Sequence, residues 1–287
     1  MMRILGLLVL IFFLGLAVSA APVTIDSSPH TSVDRHRKNM VAFPSDQVGY
    51  VFYADSSEDL VYKKTTDGGA TWGSKVTLVS SADSLGPIIW YDKWTPGDTG
   101  SKIHILYIGE SNDDLYYIEF ETSTDTASTE EIISGAHTSA TYDDDNRYYI
   151  TKSNTGVLYV AAIDDTTSGT FAAKCSATCT TGANWSDTTG SFPFTDDDDE
   201  DILIMPLDNG DLIALNWDIS ENKIYSSKYN ADPDTWATKA LVVNSIDSTS
   251  YRSAWGAVVN PSNFLVHLIV PEQTYANTDS YRFEYYN

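Results

Sequence analysis

Acidic residues occupy matching places in this chain, each at or just after the end of an apolar run of β-forming residues. The five are Asp55, Glu110, Asp164, Asp218 and Glu272. If the runs lie side by side, these carboxylates converge, and their pKa values rise unless a cation or sugar hydroxyls satisfy them. The pattern is compatible with acid–base chemistry on a sugar, with Ca²⁺ binding by oxygen ligands, or with simple repetition of a solvated acid in each structural unit.

Further acids stand at 143–145 and 196–201. Asp143 and Asp145, together with Asp164, form the predicted metal set, and Ca²⁺ suits such hard oxygen ligands. The sequence has no phosphate-cradling glycine loop, nucleophile elbow or HExxH metal motif. We therefore expect that no cofactor is required and that Ca²⁺ is an optional one.

Arginine is scarce, and three of the arginines lie at or just before the starts of apolar runs: Arg37, Arg147 and Arg252. Its planar guanidinium binds carboxylates through two parallel hydrogen bonds. Three arginines converging on one cavity would predict a site for an anionic sugar, whereas arginines pointing outward would favour a non-catalytic assembly module. The predicted substrate-binding residues are these three arginines together with Glu110, Asp218 and Glu272.

Aromatic residues fall near the same predicted strand ends and inner strands: Trp90, Tyr91, Trp94, Tyr142, Trp217, Tyr251 and Trp255. Aromatic faces beside carboxylates suit sugars, whose C–H faces stack while their hydroxyl groups are hydrogen-bonded. Core packing and cross-strand pairing account for aromatic residues equally well in an all-β protein.

These residues need repeated strands to position them. Alternating apolar runs recur with turn residues between them, and the first strand of each repeat begins at Asn39, Pro87, Arg147, Ile202 or Arg252. The intervals of 48 to 60 residues suit a four-stranded propeller blade. We predict an all-β fold, a β-propeller of five four-stranded antiparallel blades, closed by pairing of Pro22–Ile25 with the last strand. A fragment of a six-bladed propeller is the alternative, and a β-sandwich is a third.

One turn defines the type of blade. The sequence Thr65-Thr66-Asp67-Gly68-Gly69-Ala70-Thr71-Trp72 lies between two β-forming runs. Gly69 can adopt a positive φ, the short oxygens of Thr65 and Asp67 can accept turn N–H groups, and Trp72 can anchor the turn. The turn resembles the Asp-box, the BNR repeat of sialidase-like β-propellers, at the positions of Thr65, Asp67, Gly69, Thr71 and Trp72. In the repeat at Thr178–Trp185, Thr180 replaces the aspartate.

The resemblance implies a structural box on the face away from the active site. It also implies a clamp of three arginines, here Arg37, Arg147 and Arg252, and a catalytic acid after the second strand, here Asp55 or Asp59. Tyr251 is one option for the nucleophile and Tyr281 another. The chain departs from the family because Arg37 is followed by Lys38-Asn39 instead of Ile-Pro.

The ends of the chain and its charge set further bounds. Residues 1–20 have the basic start, apolar run and small residues of a signal peptide, and 21–287 are long enough for a single β-propeller domain. The net charge of −23 disfavours nucleic acid and anionic membranes, and no later run could span a membrane. Secretion makes a disulfide between Cys175 and Cys179 plausible, with two free thiols as the alternative.

We therefore predict a secreted, extracellular or periplasmic carbohydrate-binding propeller whose partner is an extracellular glycan. Sialidase-like or other glycoside hydrolase activity is one function that this prediction includes. The alternative is a non-catalytic extracellular adhesion or assembly module.

Overall fold

The computed structural model describes residues 22–29, 39–80, 82, 86–109, 114–133, 148–164, 169–194, 201–218, 220–244, 255–260, 263–273 and 281–286. Over these residues the protein is built from β-strands, and its helical structure consists of three-residue 3-10 turns. No helix in this part of the chain is long and apolar enough to cross a membrane. The all-β prediction is confirmed.

The strands form five antiparallel sheets that follow one another along the chain. Sheet 1 contains β1 (Val41–Ala42), β2 (Gly49–Ala54), β3 (Leu60–Thr65) and β4 (Val76–Val79). Sheet 2 contains β5 (Ile88–Tyr91), β6 (Lys102–Gly109), β7 (Asp114–Glu121), β8 (Thr126–Ala127) and β9 (Glu131–Ile132). Sheet 3 contains β10 (Tyr148–Lys152), β11 (Leu158–Asp164), β12 (Gly169–Cys175) and β13 (Ser186–Asp187). Sheet 4 contains β14 (Asp201–Pro206), β15 (Leu212–Asp218), β16 (Lys223–Asn230), β17 (Thr235–Trp236) and β18 (Ala240–Val243). Sheet 5 contains β19 (Gly256–Val259), β20 (Val266–Gln273) and β21 (Tyr281–Tyr286).

The second strand of a sheet reads as a continuous apolar run because both of its faces are covered. All six residues of β2 are buried. Tyr50 and Phe52 belong to the core shared with sheet 2, while Val51 and Tyr53 belong to a separate cluster on the opposite face. Successive side chains of a strand point to opposite faces, so a strand between two packed layers must be apolar at every position.

Neighbouring sheets pack face to face through these clusters. Phe120 of β7 lies against the rings of Tyr50, Phe52 and Tyr62, with centroid distances of 5.3, 5.4 and 5.0 Å. A second core spans sheets 2, 3 and 4, and a third joins sheets 4 and 5. The sheets are therefore stacked in sequence order, each on the one that precedes it.

The N-terminal segment does not have the place that the sequence suggested. Pro22–Ile25 forms no strand, and among the described residues nothing pairs with the outer side of β21. Residues 22–29 lie against sheet 1 instead, where Ile25 packs on Val51, Tyr53 and Val61 and Pro29 bridges to Asp55. The hydroxyl of Tyr53 donates to Asp26 at 2.5 Å. Local partners on sheet 1 hold this segment, so the expected pairing with the last strand is not observed.

Candidate functional site

A cavity of about 590 Å³ lies where the first strands of the sheets meet. Its lining draws on four of the five sheets: Trp90 of β5 and Trp94 just after it for sheet 2, Tyr149 from sheet 3, Pro206 from sheet 4 and Val258 from sheet 5, with Asn39 preceding sheet 1. We call it the axial cavity. One cavity is therefore shared by the first strands of sheets 2 to 5 and by the segment that leads into sheet 1.

One wall of the axial cavity is the loop 92–101 that joins β5 to β6. Its first turn is the 3-10 segment Asp92–Trp94, and the N–H of Thr95 donates to the carbonyl of Asp92 at 2.9 Å. The N–H of Gly100 donates to Asp98 Oδ1 at 2.8 Å. A Cβ at residue 100 would lie 2.1 Å from Asp92 Oδ2, so only glycine allows the loop to close on the aspartate.

The aromatic part of this wall is fixed by hydrogen bonding and ring contacts. Trp90 is buried and its indole N–H donates to Thr95 Oγ1 at 2.9 Å. Trp94 is half-buried and meets Trp90 edge-on, with 5.8 Å between ring centroids. Trp94 also packs edge-on against Tyr91 at 6.2 Å. The cavity therefore has a rigid, partly exposed indole, the kind of surface on which a sugar ring can stack.

A buried ionic network lies behind the loop. Asp92 is 2% exposed, and its Oδ1 accepts from Lys152 Nζ at 2.5 Å and contacts His104 Nε2 at 3.0 Å. His104 Nδ1 lies 2.7 Å from the hydroxyl of Tyr117, and Lys152 Nζ also pairs with Asp98 Oδ2 at 2.9 Å. Both ring nitrogens of His104 are therefore engaged within the network.

The contacts within this network shift the pKa values of Asp92 and Lys152. Burial alone would raise the pKa of Asp92, but hydrogen bonds from His104, Lys152 and the N–H of Lys102 hold that pKa well below its usual range. Burial alone would lower the pKa of Lys152, but its bonds to Asp92 and Asp98 raise it. Asp92 is therefore an anion, and Lys152 is the cation that lies between it and Asp98.

A second group of aromatic residues surrounds Asp201, where β14 begins. The indole N–H of Trp255 donates to Asp201 Oδ2 at 2.7 Å, and Trp255 packs edge-on against Trp217 at 6.0 Å. Burial and the charge of Asp201 raise the pKa of Tyr149, which is itself part of the cavity lining. The predicted aromatic residues Trp217 and Trp255 are therefore core residues, buried between sheets 4 and 5.

The strand-end acids that the structure describes in full are engaged in their own turns. Asp55 is 1% exposed, its Oδ1 accepts the N–H groups of Ser57 and Asp59 at 2.8 and 3.1 Å, and its other oxygen pairs with Lys75. Burial would raise the pKa of Asp55, but the bonds to Lys75 and these N–H groups lower it. Asp218 has the same role, since its Oδ1 accepts from Ser220 Oγ and from the N–H of Glu221 at 2.8 and 2.9 Å.

The other predicted site residues lie outside the described part of the chain: Arg37, Glu110, Asp143, Asp145, Arg147, Tyr251 and Arg252. Asp164 ends β11 and Glu272 lies in β20, with side chains outside the described part. Within that part, no group of three or more His, Cys, Asp or Glu side chains could hold a metal ion. The arginine clamp and the Ca²⁺ site remain predictions.

The box turn is held by its short side chains, as its composition predicted. Thr65 Oγ1 accepts the N–H of Gly69 at 2.9 Å and donates to Asp67 at 2.8 Å. Asp67 accepts the N–H and hydroxyl of Thr71 at 2.8 and 2.6 Å, and Gly69 has a φ of 92°. Trp72 is only half-buried, against the Ile25 cluster and edge-on to Phe43, so it anchors the turn at the margin of the core.

The corresponding turn of sheet 3 is closed differently. A disulfide joins Cys175 and Cys179, so of the two alternatives the bonded pair is the one observed. Trp185 is buried, its indole N–H donates to the carbonyl of Cys179 at 2.9 Å, and its ring meets Tyr117 of sheet 2 at 5.3 Å. Here the disulfide lies in the turn where Thr180 stands at the aspartate position of the box.

The loop 92–101 and Lys152 are the parts of the site that sequence patterns did not identify. Trp90 and Trp94 were noted as aromatic residues, and the run Thr95-Pro96-Gly97-Asp98 reads as a turn. Nothing local connects this run with Lys152, which lies on the next sheet. The connection exists only once the sheets are packed.

No family model matches the chain, and no curated protein matches it. Among solved structures, the chain is similar to an ulvan lyase of polysaccharide lyase family PL25, with a TM-score of 0.53, 11% identity, and coverage of 88% of this chain and 69% of that one. It is also similar to the Aleuria aurantia lectin in complex with Fucα1-6GlcNAc, with a TM-score of 0.51, 12% identity, and coverage of 83% and 71%. A third is Kuenenia stuttgartiensis hydrazine synthase, with a TM-score of 0.51, 8% identity, and coverage of 84% and 59%.

These neighbours are propeller proteins, and the likeness shows that this chain has a β-propeller fold. At such identities it shows the fold alone. Propellers carry unrelated functions, so function must be argued from the site.

Proposed function

We propose that this protein is a secreted, carbohydrate-binding β-propeller that takes an extracellular glycan in its axial cavity. The observation that carries the proposal is the half-buried indole of Trp94, held edge-on against Trp90 and Tyr91 in a cavity lined by sheets 2 to 5 and by Asn39 just before sheet 1. A volume of about 590 Å³ falls within the range of small-molecule sites, roughly 300–1,000 Å³. It has room for one or two sugar units.

The described lining supports binding more directly than hydrolysis. A glycosidase needs two carboxyl groups on either side of the scissile bond. Asp98 is the carboxylate among the described lining residues, and it is paired with Lys152. Asp55 is engaged by its turn and by Lys75. The ulvan lyase and the lectin that share the fold support a carbohydrate ligand and do not identify the sugar.

We also propose that the ring has five blades, with sheet 5 next to sheet 1. Val258 and Ile269 lie on the face of β19 and β20 opposite the one packed on sheet 4, and they are 61% and 47% exposed. On sheet 1, Val41 pairs with Val51 on the face that carries Ile25, and Val41 is 40% exposed. Two apolar faces at the two ends of the series, together with one cavity lined by sheets 2 to 5 and by Asn39 just before sheet 1, support closure between them.

A glycan array followed by titration tests the function. We expect purified protein to bind a defined set of glycans, and Trp94→Ala to weaken binding of the strongest one by about tenfold, or about 1.4 kcal/mol, because a stacking surface is lost. Trp72→Ala is the matched control, since Trp72 is also half-buried but lies in the box turn. Absence of any glycan ligand, or equal weakening by both variants, would refute the proposal.

A further inference from the structure

Lys152 connects sheet 3 to the cavity wall contributed by sheet 2. It ends β10, and its side chain is 15% exposed. Its ammonium group lies 2.5 Å from Asp92 Oδ1 and 2.9 Å from Asp98 Oδ2. These two aspartates stand at the start of loop 92–101 and near its end, so one cation from another sheet holds both sides of the loop.

The backbone of the same residue holds the middle of the loop. Thr95 Oγ1 donates to the carbonyl of Lys152 at 2.8 Å and accepts the indole N–H of Trp90 at 2.9 Å. Within the loop, Asp92 Oδ2 accepts the N–H of Lys102 at 2.9 Å, and the N–H of Asp98 donates to the carbonyl of Thr95 at 3.0 Å. Lys152 therefore contacts the loop at its start, middle and end, through Asp92, Thr95 and Asp98.

We infer that Lys152 is a positioning residue, which fixes loop 92–101 and so holds Trp94 in place as the sugar-binding wall of the axial cavity. This inference rests on the proposed function, because it assigns to Lys152 the preorganisation of that same site. Lys152 acts through the loop and does not itself appear in the cavity lining. Preorganised binding surfaces lose less entropy when the ligand binds, and this is the contribution that the ion pairs make.

The physical reason lies in what remains when the cation is removed. Asp92 and Asp98, 2% and 21% exposed at the side chain, would both lose their ion pair with sheet 3. Asp92 would keep its contacts with His104 and with the N–H of Lys102, whereas, among the described residues, nothing would tie the carboxylate of Asp98 to sheet 3, so this end of the loop would move towards water. Trp94 lies between the two aspartates and would move with it.

Hydrogen exchange measures this loop without any ligand. In Lys152→Met we expect amides between Thr95 and Lys102 to exchange about tenfold faster or more, since their protection depends on local opening of the loop. Lys174→Met is the matched control, because Lys174 also lies on sheet 3 and pairs across to the next sheet, with Asp234 at 2.5 Å. Loop exchange that changes no more in Lys152→Met than in Lys174→Met would overturn the inference.

Two further variants guard against a simple folding defect. Asp98→Asn keeps the Lys152–Asp92 pair and removes only the pair at the end of the loop, so it should also speed exchange of the loop while leaving sheet 4 unchanged. Lys152→Arg should restore most of the protection lost in Lys152→Met. If Lys152→Met does not fold, Asp98→Asn decides, and normal loop exchange in it would contradict the inference.

Affinity for the array-identified glycan separates the two proposals. Faster loop exchange together with about tenfold weaker binding, a change of about 1.4 kcal/mol, supports the positioning role. Faster exchange with unchanged affinity overturns it, because the loop would then not shape the site. Failure of the wild-type protein to bind any glycan refutes the proposed function, whereas the exchange result depends on no sugar.

Discussion

Asp67 shows how a carboxylate can hold a turn in this protein. It accepts the hydroxyl and the N–H of Thr71 and the hydroxyl of Thr65. These hydrogen bonds, those from Thr71 first, lower the pKa of Asp67 from its ordinary value of 3.8 to about 2. Asp55 and Asp218 use their carboxylates in the same way, within a few residues of their own position.

The low pKa of Asp67 gives a signed pH dependence. Because its pKa is lower in the folded protein than 3.8, its contribution to stability is present above about pH 4 and is lost as the pH falls towards about 2. We predict that Asp67→Asn lowers the urea midpoint at pH 7 and that the gap from wild type narrows at pH 2.5. An equal gap at both pH values would show that the ionised carboxylate is not what holds the turn.

The predicted strand-end acids show why the sequence pattern predicted where these residues lie better than what their side chains do. The chain does place Asp55 and Asp218 at the ends of equivalent strands. Aspartate in a short turn, however, accepts hydrogen bonds from the backbone N–H groups two to four residues later. These local bonds direct the carboxylate into its own turn and not towards the other strand-end acids. A pattern of types and spacings identifies the repeat, whereas the direction of each carboxylate depends on the turn that follows.

At the scale of single elements, the turns between the third and fourth strands are held to their sheets by different interactions. Sheet 1 uses the carboxylate of Asp67, and sheet 3 uses the Cys175–Cys179 disulfide with the indole of Trp185. In sheet 4, Asp234 pairs with Lys174 of sheet 3 and accepts the hydroxyl of Tyr229. Each device ties an outer turn to the strands beside it.

The disulfide should therefore make a measurable contribution. We predict that Cys175→Ala combined with Cys179→Ala lowers the free energy of unfolding by about 2 kcal/mol, the value expected for so short a closed loop. Urea denaturation with and without a thiol reductant measures it. The reductant should destabilise wild type and leave the double variant unchanged, and wild type that is insensitive once reduction is verified would contradict the prediction.

The strands could be predicted because their sequence signals are local. The candidate site could not be predicted, since its contacts join residues on different sheets. The first strands of sheets 2, 3 and 4 begin within one residue of the predicted starts, at Ile88, Tyr148 and Asp201. The very short β8 and β13 lack enough residues to show a pattern. The link from Lys152 to Asp92 spans two sheets, so no spacing along the chain can reveal it.

At the scale of the whole molecule, the N-terminal segment acts as a cover for sheet 1. Ile25 closes the cluster of Val51, Tyr53 and Val61, and Lys63 Nζ donates to the carbonyl of Ile25 at 2.5 Å. The strand patterns suggested a fourth strand for the last sheet, but residues 22–29 find apolar and polar partners on the first. Under five-blade closure this segment would lie at the junction of sheets 5 and 1.

Removal of Pro22–Ser28 should uncover that cluster. We predict a loss of about 2–3 kcal/mol of stability, from the apolar area of Ile25 and the Tyr53–Asp26 hydrogen bond, and some self-association through the exposed face. Thermal melting and size-exclusion chromatography measure both effects. Val23→Ser is the control, because Val23 is 46% exposed and should have no effect. Unchanged melting and a monodisperse truncated protein would show that the segment does not stabilise sheet 1.

The most direct measurement blocks the axial cavity chemically. Lys93 lines the cavity and is exposed, and because both native cysteines are paired, Lys93→Cys supplies a unique thiol for a bulky maleimide. Leu241→Cys, at a site 50% exposed on the outer strand β18, is the matched control. If the axial cavity binds glycan, labelling at position 93 abolishes binding of the array-identified sugar and labelling at position 241 does not. Full binding by fully labelled Lys93→Cys would contradict the account.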